Sequence, residues 1–317
     1  MADGTQELSF LKMHSLGNDC IIVDARSSPL AGLAPTTAGV VFACDRHFGI
    51  GADQLVLLEQ SDRVGCCCRV RFFNVDGFEA GACGNATRCV AKLLMNASGG
   101  DDSVALDTAG GIVRCRTSAD GRSVAVCLPP PRFEWEAIPL SIECDAQAVG
   151  GLAPPGWPPC VCVSMGNPQA VLMAPLECDL SALDMHAVAA PIEKHGLFPE
   201  GTNVMIVQCA AGTAAGTAEG SVLHVRPWER SVGETQACTT GACAAVVAAS
   251  LRGLLPPPGA AAGGGAEDDV RASAECHFAT RAAGRVHVVW RESGIEASCA
   301  AELAFRGKVA RSAVEAR

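Results

Sequence analysis

Cys83 and Cys238 stand out among the chain's thiols by what surrounds them. The stretches DGFEAGACGNATRC (76–89) and SVGETQACTTGAC (231–243) each place a Glu four residues ahead of the first Cys, Glu79 before Cys83 and Glu234 before Cys238. After each of these thiols comes a run of helix formers, NATRCVAKLLM in one case and GACAAVVAASL, up to Gly253, in the other. Each thiol therefore sits at a turn just before a predicted helix N-terminus. There the positive end of the helix dipole favours the thiolate, which suits a base or nucleophile. The unpaired backbone N–H groups of the same turn make a carboxylate site. Two such ends facing each other would cradle one carboxylate with a thiol on either side of the adjacent carbon. That is a geometry for two-base racemisation, in which one thiolate removes a proton and the opposite thiol returns one.

The elements that must hold these residues occur twice. Gly17-Asn18 recurs as Gly166-Asn167, and Gln54 is matched by Asn203, both 149 residues on. Asn74 is matched by Glu229 and Cys83 by Cys238, both 155 residues on. Four matches in the same order point to two related halves. Strands are predicted at 8–13, 20–24, 54–59 and 69–74, the last ending at the turn Asp76-Gly77. In the second half VCVSM leads into GNP, and NVMIVQ (203–208) is a further strand. Residues 210–220 and 256–269 read as loops, and Pro129-Pro130-Pro131 as an interdomain boundary. The expected domains are 1–128 with 292–317, and 132–291.

Composition narrows the field. A chain of 317 residues suits two domains of about 150 residues each. With 49% apolar and 18% charged residues it can bury a core and carries no mark of disorder. Its 24 Lys and Arg against 34 Asp and Glu leave a net charge of −10, which argues against nucleic acid or an anionic membrane as partner. No apolar run is long enough to cross a membrane as a helix, and MADGTQELSF lacks the pattern of a secretory signal, so a cytoplasmic location is expected. The 18 Cys include no CxxC pair, so no structural metal is expected, and most should be small buried residues. Cys66–Cys68 is expected to alternate across a strand, and Cys89 and Cys243 to pack in the core. Tyr is absent, so no phenol can act. The four Lys (12, 92, 194 and 308) lie in no Schiff-base setting, which disfavours pyridoxal phosphate.

Six motifs in order carry a resemblance: KMHSLGNDC (12–20), RHFGIGADQ (46–54), FNVDGFEAGACGNATRC (73–89), SMGNPQ (164–169), GTNV (201–204) and RPWERSVGETQACTTGACA (226–244). With them the chain resembles the diaminopimelate epimerases nearly end to end. The resemblance implies an α/β (α+β) fold of two pseudo-symmetric domains, each a curled, mostly antiparallel sheet around a central helix, with the active site between them. It implies cofactor-independent interconversion of LL- and meso-diaminopimelate, on the route to lysine and peptidoglycan, and a homodimer. By the same resemblance Cys83 and Cys238 are the two bases, with Cys238 accepting the proton and Cys83 donating one in the LL-to-meso direction. Backbone N–H groups of Gly84, Asn85, Thr239 and Thr240 hold the reacting carboxylate, and Glu229 holds the ammonium of the reacting centre. Asn18, Asn74, Asn167, Asn203 and Arg230 clamp the distal end, and Gln54 lines the site. Amides and one Arg can read a distal zwitterion without adding a competing base.

The chain also departs from the family pattern. GNPQ stands where the family has GNPH, so Gln169 takes the place of a His held to tune the thiol pair, and Gln carries no proton or charge. Cys238-Thr239-Thr240-Gly241 replaces Cys-Gly-Thr-Gly, and a Cβ at 239 restricts the backbone near the carboxylate. Phe78 replaces a small polar residue, Cys20 follows GND where Phe is usual, and the closing segment EASCAAELAFRG (296–307) is unusual. A related two-thiol racemase acting on another amino acid, and a catalytically silent relative, are the competing readings. The retained distal clamp disfavours the first, and the two thiols with Glu229 disfavour the second.

Overall fold

The structure is a computed structural model that describes residues 7–27, 34–81, 83–99, 101–118, 121–210, 221–255, 270–279 and 284–315. The loops expected at 210–220 and 256–269 lie outside the described residues, apart from Ala210, whose N–H donates to Val222 O at 3.0 Å. The chain divides into two compact units, Met1–Val126 with Cys299–Arg317, and Cys127–Ser298.

In chain order the elements begin with β1 (Glu7–Ser15), β2 (Asn18–Asp24), α1 (Thr37–Cys44), β3 (Gln54–Glu59), β4 (Cys68–Asn74) and β5 (Glu79–Ala80). Next come α2 (Gly84–Ser98), β6 (Ser103–Thr108), β7 (Gly111–Thr117), β8 (Val124–Leu128), β9 (Val161–Ser164) and β10 (Pro168–Met173). They are followed by α3 (Met185–Glu193), β11 (Asn203–Cys209), β12 (Val222–Glu229), β13 (Gly233–Glu234) and α4 (Thr239–Leu251). The chain closes with β14 (Val270–Phe278), β15 (Arg285–Arg291), β16 (Gly294–Cys299), β17 (Glu302–Ala310) and α5 (Ser312–Glu315).

The second unit repeats the strand pairing of the first, step for step. In the first, β1 is antiparallel to β2, β2 parallel to β3, and β3 antiparallel to β4. β4 is then antiparallel to β5 and parallel to β6, and β6 antiparallel to β7. In the second, β9, β10, β11, β12, β13, β14 and β15 take these places with the same directions. β17 extends the first unit along β1 with one bulge, and it takes in 302–307 of the unusual closing segment. The mostly antiparallel mixed sheet in each unit agrees with the expected α/β fold.

The strands that carry the site read as continuous apolar runs because both of their faces are covered. In the first unit Ile21, Val23, Leu55 and Leu57 pack with Val40 and Ala43 of α1. The intervening Ile22, Val56 and Leu58 are equally buried on the opposite face, where α2 lies against β1, β2, β6 and β7. In the second unit Cys160, Cys162, Leu172, Val204 and Ile206 pack against Met185, Ala189 and Ile192 of α3. On the other face α4 is touched by β9, β10, β11, β12, β14 and β15. Residues Gly241–Ala249 of α4 are all buried, which is why GACAAVVAA is apolar on every side. Each unit is thus a curled sheet around one central helix, α2 or α4.

Cys89 and Cys243 are fully buried on these helices, as expected for packing residues. The expectation for Cys66–Cys68 needs correction, since only Cys68 belongs to β4. Cys66 N–H closes a turn on Arg63 O at 3.1 Å around Gly65, whose φ is +82°, and the strand starts after it. Among the described residues no helix is long and apolar enough to cross a membrane.

Candidate active site

Parallel pairing of β2 with β3 brings the starts of both strands to one sheet edge, where the antiparallel β4 ends. Asn18 starts β2, Gln54 starts β3 opposite Cys20, and Asn74 ends β4 directly opposite Gln54. In the second unit Asn167 lies one residue before β10, and Gln169 pairs with Asn203 at the start of β11. Val204 pairs with Trp228, which sets Asn203 beside Glu229 at the end of β12. The offset of 149 residues therefore joins residues at the starts of parallel strands, and the offset of 155 joins strand ends and helix starts. In each half a hairpin, β4–β5 or β12–β13, then carries the chain to its thiol.

Cys83 is the N-cap of α2, with φ −148° and ψ 112°, and Cys238 is the N-cap of α4, with φ −129° and ψ 115°. Neither side chain makes a capping hydrogen bond. The first helical bonds, Thr87 N–H to Cys83 O at 2.8 Å and Ala242 N–H to Cys238 O at 2.9 Å, begin beyond the amides of 84–85 and 239–240. Neither Gly84 nor Thr239 has a positive φ, so a Cβ at 239 is compatible with the helical backbone there. Phe78 is exposed, its N–H on Asp76 Oδ1 at 3.0 Å, and it forms part of the β4–β5 turn.

Cys238 is only 5% exposed. Burial raises its pKa well above the usual thiol range, and the negative charge of Glu229 adds to the rise. The Thr240 hydroxyl, 3.5 Å from the sulfur, and the helix start at the Gly241 N–H work the other way. Glu229 is itself shifted upward by burial, partly offset by the Thr235 hydroxyl, which donates to its Oε1 at 2.6 Å, and by the Cys238 thiol. Gln169, completely buried, donates from Nε2 to Asn167 Oδ1 at 2.9 Å and to Thr240 Oγ1 at 3.0 Å. Asn167, Gln169, Thr240 and Cys238 thus form one connected polar chain.

The first half has different partners at the matching positions. Gln54 donates from Nε2 to Asn74 Oδ1 at 2.8 Å, and its own Oε1 is buried with no partner among the described residues. Asn85 Oδ1 accepts from Nη2 of Arg88, a fully buried guanidinium on α2, at 2.7 Å. Cys243 stands at the Arg88 position in the second half, and Asn74 at the Glu229 position in the first. The two thiols are alike in backbone setting, while the residues at these matching positions differ in charge.

Residues outside the motif roles given above hold this frame. Asp19 and Asp53 share Arg46, which reaches them at 2.9 Å and 2.7 Å, and Lys12 Nζ lies 2.7 Å from Asp19. Burial works against the Asp19 charge, but the hydrogen bonds from Arg46 and Lys12 hold its pKa at about 2. Asp53 Oδ2 accepts from Asn18 Nδ2 at 3.2 Å, which fixes the amide nitrogen as the end turned to Asp53. Asn203 is engaged at both ends, from Nδ2 to Pro168 O at 3.1 Å and at Oδ1 by Arg230 N–H at 2.9 Å. Arg230 also donates from Nη1 to Glu200 O at 2.9 Å. The two Glu residues of the thiol motifs each meet an Arg on the preceding strand, Arg71 with Glu79 and Arg226 with Glu234. Those arginines are also 155 residues apart, the signal by which the repeat could have revealed them. Among the described residues no group of three His, Cys, Asp or Glu side chains could hold a metal.

Comparison with known proteins gives the family and the fold. A family model described as "Diaminopimelate epimerase" matches residues 10–134 and 161–262. The chain is 44% identical over 245 residues to a diaminopimelate epimerase from Rhodospirillum centenum, covering 77% of this chain and 78% of that one. It is 44% identical over 253 residues to one from Phenylobacterium zucineum, covering 77% and 83%. Among solved structures, a hydroxyproline epimerase from Agrobacterium vitis shares the fold at a TM-score of 0.61 and 13% identity, covering 96% and 93% of the two chains. A phenazine biosynthesis protein from Bacillus anthracis does so at 0.60 and 15%, covering 96% and 99%.

Proposed function

Because the chain belongs to the diaminopimelate epimerase family, and so to the isomerases, we propose that it interconverts LL- and meso-diaminopimelate with two thiols as its only bases. The observation that carries this reading is the duplicated placement of Cys83 and Cys238 as N-caps of the two central helices, with a carboxylate, Glu229, beside one of them.

The resting environment keeps Cys238 protonated, because it is buried next to the negative charge of Glu229. The substrate's α-ammonium pairs with Glu229 and cancels that charge, which makes it easier for Cys238 to release its proton to water and act as the thiolate. The α-carboxylate takes the first-turn amides of the two helices. These donors strengthen as charge moves from the α-carbon onto the carboxylate in the transition state. Cys238 removes the α-proton and Cys83 delivers its own to the opposite face, so Cys238 ends as thiol and Cys83 as thiolate. The reverse reaction starts from that state, with the roles exchanged. Asn18, Asn74, Asn167, Asn203 and Arg230 read the distal amino-acid end, and Gln54 lines the site. The distal reading is what favours a substrate with two zwitterionic ends over a simple amino acid. The product serves lysine and peptidoglycan synthesis on this reading.

The test is proton NMR of reduced protein in D2O with LL-diaminopimelate. Loss of the α-proton signal with conversion to the meso form supports the proposal. No exchange from folded, reduced protein overturns it in favour of another amino acid or a silent relative.

A further inference from the structure

Gln169 has no proton to exchange, yet it is wired to a reacting sulfur. Its amide nitrogen can only donate, and its two bonds, to Asn167 Oδ1 and Thr240 Oγ1, use both of its hydrogens. One lone pair of the Thr240 oxygen is thereby taken. Among the described residues the hydroxyl has one other hydrogen-bond partner, the Cys238 sulfur at 3.5 Å. A thiol could also donate to that oxygen, but a thiolate cannot. Once Cys238 has lost its proton, the contact must run from O–H to S⁻, and a hydrogen bond to a charged group is the stronger kind. The Gln169 oxygen is buried without a partner among the described residues. Turning the amide over would offer that oxygen to the Thr240 hydroxyl and draw the proton away from the sulfur.

The matching positions of the first half hold other side chains. Cys20 occupies the position that matches Gln169, and Asn85 the one that matches Thr240. We propose that the Thr240 hydroxyl is a catalytic group that donates a hydrogen bond to the Cys238 sulfur and supports the thiolate, and that Gln169 is the positioning residue that aims it. The inference deepens the two-thiol reading and rests on Cys238 acting as a base.

The test follows alkylation of reduced full-length protein by iodoacetamide, with the Cys83 and Cys238 peptides quantified separately by mass spectrometry. It is run between about pH 7 and about pH 9, below the titration of Cys238, where the rate tracks the thiolate fraction. Thr240→Val keeps the shape of the side chain, and so the access to the sulfur, but removes the hydroxyl. It is expected to slow alkylation of Cys238 about tenfold at every pH, with Cys83 unchanged. Thr240→Ser is expected to restore the rate, and Gln169→Met to slow it in the same direction by less. A role confined to packing would not separate Ser from Val in this way. Wild-type or faster alkylation of Cys238 in Thr240→Val, or no recovery in Thr240→Ser, overturns the proposal. Alkylation needs no substrate, so failure to epimerise diaminopimelate with the expected alkylation pattern would defeat the functional reading alone. Normal epimerisation with unmoved alkylation rates would defeat this one alone.

Discussion

Arg226 grips Glu234 with two parallel hydrogen bonds, Nε to Oε1 at 2.7 Å and Nη2 to Oε2 at 2.9 Å, and Arg71 grips Glu79 in the same pattern at 3.0 Å and 2.8 Å. The Glu four residues ahead of each thiol therefore fastens the hairpin that delivers the thiol, and leaves the proton chemistry to other groups.

The two copies of this pair differ in worth. Arg226 is 9% exposed and also donates from Nη1 to Leu180 O at 2.5 Å and Leu183 O at 2.7 Å. Arg226→Met would strand the carboxylate and both carbonyls, and is expected to cost about 3 kcal/mol of unfolding free energy. Arg71→Met, at a more exposed pair, is expected to cost less than about 1 kcal/mol. Urea unfolding of the two variants checks this, and equal losses would contradict it.

Cys83→Ser and Cys238→Ser should each abolish epimerisation, by about a thousandfold or more, because serine is far too weak an acid to exchange the proton. The fold should survive, since the exchange keeps the N-cap and removes little volume. Circular dichroism and α-proton exchange in D2O measure the two properties together. Full activity in either variant would end the two-thiol mechanism.

Glu229 should cost the protein stability at neutral pH. Its pKa is raised by burial, so the contribution of this group to stability is fully present below the ordinary carboxylate pKa and is lost as pH rises through the folded value. Glu229→Gln keeps an acceptor for Thr235 and removes the charge. It is therefore expected to be more stable than the wild type above neutral pH while losing epimerase activity. A destabilised variant at that pH would show that the carboxylate supports the fold instead.

Asp19 should behave in the opposite way. Its folded pKa of about 2 lies below the ordinary 3.8, so its contribution is present above about pH 4 and is lost as pH falls toward 2. The difference corresponds to roughly 2 kcal/mol at neutral pH. Asp53 shares Arg46 and is shifted upward by burial and the nearby Asp19, so it offsets part of this. Asp19→Asn should show a flatter loss of stability on acidification, read from urea midpoints across that range. An unchanged slope would remove Asp19 from the acid response.

Much of the frame was legible in the sequence because it was written twice. Apolar runs marked the strands, and small helix formers after Cys83 and Cys238 marked the two helix starts. The offsets of 149 and 155 residues paired Asn18 with Asn167, Gln54 with Asn203 and Cys83 with Cys238. Local propensity and patterning suffice for these, since a strand or a helix start depends on a short stretch of chain and on whether its faces are covered. The Cys66–Cys68 run failed by the same logic, because the turn around Gly65 overrode its apparent alternation.

Register and side-chain direction came only with the tertiary structure. Nothing local in GNPQ says that Gln169 reaches Thr240, 71 residues on, or that Thr240 reaches the Cys238 sulfur. Nor does the sequence show that Asp53 orients Asn18, or that burial beside Glu229 raises the Cys238 pKa. Hydrogen bonds act over about 3 Å and desolvation depends on everything packed around a group. The amino-acid sequence determined which chemical groups the protein has and on which elements they stand, and the folded chain decided which of them meet.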